Sequence, residues 1–232
     1  MKVCVIPARG GSRRIPRKNI RDFHGVPMIA RSIATALASS SIDRVVVSTD
    51  DEEIADIART AGAEVPFMRS ADLSDDMTGT LAVLVDALER IEAERDAPLD
   101  ALLCLYATAP FVRPEDLDRA WVQLVDSKAD YVFAGVEFAY PIQRALRRSG
   151  DRVELFYPEH TGTRSQDLEP AYHDAGQFYW CRPEALRAGR ALLGPTAAMY
   201  RLDRARAQDI DTPDDWAFAE KLYRLLEQDE GS

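Results

Sequence analysis

Cysteine is scarce in this chain, with three in 232 residues, Cys4, Cys104 and Cys181. Each lies inside an apolar, strand-like run, which makes it a buried hydrophobe and excludes a disulfide framework, a ligand cluster and a thiol nucleophile. Long apolar runs are missing too. The longest uncharged stretch, 101–112, falls far short of the roughly 20 residues a spanning helix needs, so no membrane partner is expected. The opening Met1-Lys2-Val3 enters a strand at once without a signal-peptide layout, and with the sparse cysteine this predicts a reducing, cytoplasmic setting. An excess of positive charge is also absent: 29 Lys and Arg stand against 39 Asp and Glu, a formal net charge of -10. Nonspecific nucleic-acid binding needs a broad basic surface and is disfavoured. Neither G-x-x-x-x-G-K-[ST] nor G-x-G-x-x-G occurs, which excludes a P-loop ATPase and a dinucleotide oxidoreductase. No internal repeat or low-complexity segment is visible.

What is present is a chain that is 46% hydrophobic and long enough for one domain over 1–232 with a sizeable core; only 228–232 reads as disordered. Strand-like runs at 2–6, 44–48, 64–67, 101–106 and 131–135 alternate with helical patterns at 28–38, 51–61, 80–94 and 114–127. In the third helix Leu81, Leu84, Leu88 and Ile91 recur at three- and four-residue spacing, an inward stripe. Such alternation predicts an α/β fold, a doubly wound and mostly parallel sheet with helices on both faces. The periodicity changes over 138–172, and a strand resumes at 176–181. A last helix is marked by Thr212 as N-cap, Pro213 at the first position, then Asp214 and Asp215, with Trp216, Ala219, Tyr223 and Leu226 as its apolar face.

Against the acidic background, residues 6–22 carry six cations, Arg9, Arg13, Arg14, Arg17, Lys18 and Arg21. They follow the first strand directly, at the carboxyl edge where open α/β sheets bind ligands. Gly10 and Gly11 allow a tight turn that would bring N–H groups to a ligand, and Pro7 and Pro16 stiffen it. The segment reads as a seat for a polyanion such as a nucleoside triphosphate. Near the other end, Asp209-Ile210-Asp211 precedes the last helix. If 207–211 is extended, both carboxylates share one side while Ile210 points inward, an arrangement suited to Mg²⁺ bridging to phosphate oxygens. On the residues alone, a solvated acidic pair beside a helix N-terminus is the competing reading. Ser48-Thr49-Asp50-Asp51 reads as a capping sequence for the second helix.

The N-terminal string, with Ile6, Pro7, Ala8, Arg9, Ser12, Ile15, Pro16, Lys18, Asn19 and Ile20, resembles the I-P-A-R-x-x-S-K-x-[IL]-P-x-K-N-[IL] signature of the CMP-sugar (acylneuraminate) cytidylyltransferases. Arg13 stands where Lys is usual. The resemblance covers nearly the whole chain and implies the nucleotide-diphospho-sugar transferase type of Rossmann-like fold. It also implies CTP and a nonulosonic acid as substrates, Mg²⁺ as cofactor, and a homodimer formed through an arm at 138–172. Arg9, Arg13 and Lys18 with Ala8, Gly10, Gly11, Ser12, Asn19 and Thr108 would hold the triphosphate. Arg69, Asp76, Thr78 and Thr80 fall in the segment that selects cytosine and holds the ribose; unaligned, that segment reads equally as a polar loop capping a helix. Asp209 and Asp211 would be the metal ligands, and Arg9, Arg13, Lys18 and Asp211 the groups closest to the chemistry.

Sialic acid enzymes have L-Q-P-T-S-P-L-R where this chain has Leu105-Tyr106-Ala107-Thr108-Ala109-Pro110, and their glutamine contacts the sugar. Tyr106 at that position points away from N-acetylneuraminic acid. The strings 140–146 and 163–180 look like those of the pseudaminic acid enzymes of the family. They place Gln143, Arg164, Tyr172 and Gln177 as sugar-binding candidates with Tyr106, while Trp180 reads as core. The implied reaction is attack of a sugar C2 hydroxyl on the α-phosphorus of CTP, with pyrophosphate leaving. Legionaminic, N-acetylneuraminic and octulosonic acids are the alternative acceptors. A noncatalytic nucleotide-binding module is the alternative of another class, against which the retained D-x-D and Lys18 stand.

Overall fold

A computed structural model describes residues 1–75, 77–95 and 97–230. In chain order, β1 (Lys2–Pro7) leads into a two-strand turn, β2 (Asp22–Phe23) and β3 (Val26–Pro27), then α1 (Met28–Ala38), β4 (Arg44–Ser48), α2 (Glu52–Thr60), α3 (Thr80–Arg95), β5 (Ala101–Leu105), α4 (Pro114–Asp126) and β6 (Tyr131–Glu137). A hairpin of β7 (Leu146–Ser149) and β8 (Arg152–Leu155) follows, then β9 (Tyr172–Cys181), α5 (Pro183–Arg187), β10 (Ala197–Arg201) and α6 (Pro213–Glu230).

Six strands form the main sheet in the order β10-β6-β9-β5-β1-β4. β4, β1 and β5 are parallel, with Val5 beside Val46 on one side and Cys104 on the other. β9 alone runs against its neighbours β5 and β6, and β10 is parallel to β6. The alternation of buried residues along the strands feeds two apolar layers, one on each face. Ile6, Ile33, Val47, Leu103 and Trp180 pack in one layer, and Val5, Leu84, Leu88, Ile91 and Leu102 in the other. The expected stripe of α3 is therefore the inward face. All three cysteines are unpaired and fully buried, and burial pushes each thiol well above its ordinary pKa. No helix among the described residues is long and apolar enough to cross a membrane.

Four features depart from the sequence reading. The run at 64–67 forms no strand and keeps only isolated bridges, Val46 to Glu64 and Thr49 to Met68. Pro66 lies between them and has no N–H to donate, so the ladder cannot continue. β10 and the β7–β8 hairpin carry no clean alternation, and the hairpin is solvent-exposed throughout. The 207–211 segment is coil, yet Ile210 is fully buried.

A third, smaller cluster positions the site. Ile15 from the basic loop and Ile210 from the D-x-D both bury into it, beside Phe23, Met28, Phe111 and Trp216. The apolar residue inside each motif thus anchors the two motifs to one patch. Thr212 and Asp215 cap α6 reciprocally: Asp215 N donates to Thr212 Oγ1 at 3.2 Å, and Thr212 N donates to Asp215 Oδ2 at 2.8 Å.

Candidate active site

At the carboxyl ends of β1 and β5 lies a cavity of about 560 Å³ whose wall includes Arg9, Ser12, Arg13, Arg14, Lys18, Asn19, Tyr106, Thr108, Gly176, Asp209 and Asp211. A second cavity of about 220 Å³ adjoins it, with Arg69, Asp75, Thr78, Thr80 and Val83 in its wall. Pro7, Arg9 and Tyr106 belong to both and form the partition. The larger space carries cations and two carboxylates. The smaller is lined by Thr78, Thr80 and Tyr106, by Arg9 and Arg69, by Asp75 and by apolar residues, a mixture that suits a polar heterocycle.

The basic loop divides by function. Asn19, nearly buried, donates from Nδ2 to Arg9 O at 3.0 Å, and Arg9 Nη1 donates to Asp75 O at 3.0 Å, tying the partition to the far rim. Lys18 Nζ donates to Ile210 O at 2.7 Å and to Asp211 Oδ1 at 3.1 Å, and Arg14 Nη2 donates to Asp211 Oδ2 at 2.7 Å. Two of the six cations turn away. Arg17, in the left-handed region at φ 56°, forks onto Asp51 and also meets Glu53; the guanidinium of Arg21 sits 4.6 Å over the Trp216 ring.

The glycine pair also behaves differently from the expectation. Gly10 N donates to Asp50 Oδ1 at 3.0 Å and Ser12 N to Gly10 O at 3.1 Å, so these two amides are already engaged inside the loop. Gly10 and Gly11 are absent from the cavity wall, and the cations line it instead. Gly10 is needed for close approach, since a Cβ there would stand 2.5 Å from Asp51 Oδ2; at Gly11 it would meet nothing within 4 Å. Ala8 is buried and donates to Ser48 O at 2.9 Å, extending the sheet.

Sequence reasoning gave Asp50 and Asp51 only a capping role. Asp51 does cap α2, accepting from Ile54 N at 3.0 Å, but the pair also shapes the basic loop. The missed signal is position: an acidic dipeptide ending β4, the strand beside β1, faces the cations that end β1.

In the smaller cavity, burial pushes the Arg69 guanidinium below its ordinary pKa, while Asp50 favours its charge. Arg69 donates to Ser74 Oγ at 3.2 Å. Thr78 donates to Asp75 Oδ1 at 2.6 Å through Oγ1 and at 2.7 Å through N. Asp76 lies outside the described residues. Thr80 Oγ1 and Tyr106 hydroxyl are 2.9 Å apart, and burial raises Tyr106 to about 12. Tyr106 packs edge-on against Tyr179, whose hydroxyl donates to Asp174.

At the carboxylate end, burial raises the Asp209 pKa, the Asp211 charge adds to that, and Lys18 opposes it. Two carboxylates crowded beside a cationic cavity suit a hard cation completed by phosphate oxygens and water. Among the described residues no group of three or more His, Cys, Asp or Glu could hold a metal on its own, so an all-protein cage is not what the site offers.

The sugar candidates separate. Tyr106 lines the cavity, but Gln143, Arg164 and Tyr172 lie on the 138–172 segment, outside its wall. Gln143 donates to Glu169 O at 3.0 Å, Arg164 to Asp167 Oδ2 at 2.9 Å, and Tyr172 sits under Arg201. Gln177 is fully buried beneath the site. Trp180 is core, as expected, with Nε1 donating to Leu117 O at 2.9 Å.

Residues 3–192 match the family model described as cytidylyltransferase. The chain belongs to the cytidylyltransferase family. It is 43% identical over 224 residues to a pseudaminic acid cytidylyltransferase of Campylobacter jejuni, covering 96% of each chain. A CMP-N,N'-diacetyllegionaminic acid synthase of Legionella pneumophila is 34% identical over 236 residues, covering 97% of each. Among solved structures, a CMP:2-keto-3-deoxy-manno-octonic acid synthetase complexed with CTP superposes with a TM-score of 0.71 at 20% identity, covering 98% of this chain and 99% of that one. That likeness shows a shared α/β fold with a mostly parallel central sheet.

Proposed function

We propose that this cytidylyltransferase transfers CMP from CTP to the C2 hydroxyl of a nonulosonic acid, foremost pseudaminic acid, and releases pyrophosphate. The observation carrying this reading is the joint wall of the larger cavity, where Arg9, Arg13 and Lys18 face Asp209 and Asp211 beside a separate polar pocket. The choice of acceptor is supported by the 43% identity to the Campylobacter jejuni enzyme and by Tyr106 in place of the sialic acid enzymes' glutamine.

In the reaction the sugar oxygen bonds to the α-phosphorus, the bond from that phosphorus to the oxygen bridging to the β-phosphorus breaks to release pyrophosphate, and the hydroxyl proton passes to solvent water. Such transfers depend on alignment and charge neutralisation more than on covalent help. Arg9, Arg13 and Lys18 hold the phosphates, with Ser12 and Thr108 beside them. Arg69, Thr78 and Thr80 seat the base. Asp209 and Asp211 would hold Mg²⁺, which when bound would neutralise charge on the phosphate oxygens.

Assembly completes the proposal. The 138–172 segment exposes Phe138, Tyr140, Leu146, Val153 and Phe156, more apolar surface than a solvated arm needs. We assign it to a homodimer contact, which would carry Gln143, Arg164 and Tyr172 toward a partner's sugar site. Light scattering of the intact chain should then give twice 25.9 kDa; a monomer at micromolar concentration would refute the arm's role. Three unpaired, buried thiols support a cytoplasmic setting.

The decisive assay is pyrophosphate release with CTP and Mg²⁺, offering pseudaminic, legionaminic and N-acetylneuraminic acids in parallel. Release is expected with pseudaminic acid at a kcat/KM at least tenfold above the others. Preference for another sugar would move the specificity, and silence with all three would refute the acceptor class.

A further inference from the structure

The segment carrying Asp209 and Asp211 is coil, so no sheet ladder fixes it. It is held instead by side chains bonded to its carbonyls. Lys18 Nζ binds Ile210 O at 2.7 Å from the cavity side. From beneath, Gln177 Nε2 binds Gln208 O at 3.2 Å and also Ala175 O at 3.0 Å. The carbonyls on either side of Asp209 are thus each held by a side chain from another part of the chain.

Gln177 is unusual in its setting. It is fully buried on β9 among apolar residues, and among the described residues its Oε1 has no hydrogen-bond partner. Both Nε2 partners are carbonyls, which settles the orientation of the amide. Leaving that acceptor unsatisfied costs stability, and an apolar side chain would avoid the cost. The backbone around it is also part of the site. Gln177 O accepts from Tyr106 N at 2.9 Å. Gly176, at φ 61°, lines the cavity and lies so close to Asp209 that a Cβ there would be 3.7 Å from Asp209 Cγ.

We propose that Gln177 is a positioning residue that fixes Asp209 and Asp211 relative to Tyr106, and that it does not itself touch the sugar. This rests on the reading of the two carboxylates as the metal-holding pair. The role explains why a buried amide with a wasted acceptor occupies this strand position: its donor end bridges β9 to a segment that has no ladder of its own.

The test uses the intact chain and three variants. In Gln177→Met, of similar length, both amide groups go, and the loss of two donated bonds is offset by removal of the orphaned acceptor. Its melting temperature should stay within about 2 °C of the parent. Its Mn²⁺ dissociation constant, followed by electron paramagnetic resonance without nucleotide, should rise roughly tenfold, the usual scale for groups that orient metal ligands. Turnover should fall by a similar factor while the sugar KM changes less than twofold. Gln177→Glu keeps one donor, because burial holds its carboxyl protonated, and should recover most of the Mn²⁺ affinity; it also serves if the methionine variant does not fold. A raised sugar KM with unchanged Mn²⁺ binding would make Gln177 a sugar contact and overturn the proposal. A lowered melting temperature with unchanged Mn²⁺ binding and turnover would reduce it to a fold residue and do the same. Asp211→Asn is the reference: Mn²⁺ binding that survives it would remove the metal-holding reading itself, and this role with it.

Discussion

Asp211→Ala is expected to lower turnover about a thousandfold while leaving a folded protein. The size follows from the proposed role of Asp211 in fixing charge opposite the reacting phosphates, since removing such a group costs about 10²–10³ or somewhat more where charge develops in a water-poor site. The stability cost is small for a different reason. The Asp211 side chain is 38% exposed, and its partner Arg14 is 65% exposed, so their pairing contributes at most about 1 kcal/mol. Lys18 keeps its bond to Ile210 O when Asp211 goes, and Ile210 remains in its apolar cluster. Removing Asp211 also relieves one of the charges that raise Asp209, although burial, the larger cause, remains. Steady-state pyrophosphate release paired with thermal denaturation separates the two effects. A variant that melts like the parent and retains a tenth of its turnover would take Asp211 out of the mechanism.

The layout of this cytidylyltransferase was largely legible, because helices and strands of an α/β sheet announce themselves by local period. The first helix begins and ends at Met28 and Ala38 as read, and α6 starts after its Thr212 cap. Burial of Leu84, Leu88 and Ile91 follows directly from their spacing. What local pattern could not reveal depends on distant partners. Arg14 and Arg17 are equivalent as residues in a basic run, yet one meets Asp211 and the other Asp51. Gln177 reads as a sugar contact because amides are common there, whereas its burial depends on how β9 lies between β5 and β6. The 64–67 run has strand composition, but Pro66 stops the pairing, and β10 gains its place only by addition to β6.

The same dependence on distant partners makes Asp116 the position with the largest expected stability effect. Asp116 is 3% exposed near the start of α4. It accepts from Arg113 N at 3.0 Å, from both terminal nitrogens of Arg206, and from the Tyr200 hydroxyl at 3.0 Å. Arg206 in turn reaches Phe111 O, and Phe111 packs in the cluster that holds Ile210. The pair therefore braces the turn that leads into the D-x-D segment. Asp116→Ala strands the Arg206 charge in a poorly hydrated place and removes the bond that Asp116 accepts from Arg113 N at the start of α4. Breaking one side of such a buried pair costs about 3–5 kcal/mol, a large part of the 5–15 kcal/mol typical of a whole domain. At roughly 2–4 °C per kcal/mol for a chain of this size, the melting temperature should drop by about 10 °C. Burial alone would raise the Asp116 pKa, but the bonds from Arg206, Arg113 and Tyr200 outweigh it and hold the carboxyl below its ordinary value. Its stabilisation is therefore fully present above the unfolded-state pKa of about 3.9 and fades as pH falls through the lower folded-state value. Denaturant melts of parent and variant should differ most near neutral pH and converge in acid. A gap that stays constant down to pH 3 would mean the charge of Asp116 contributes nothing. Replacing both partners, as in Asp116→Leu with Arg206→Met, should recover most of the loss, because no buried charge is then left without a counterion.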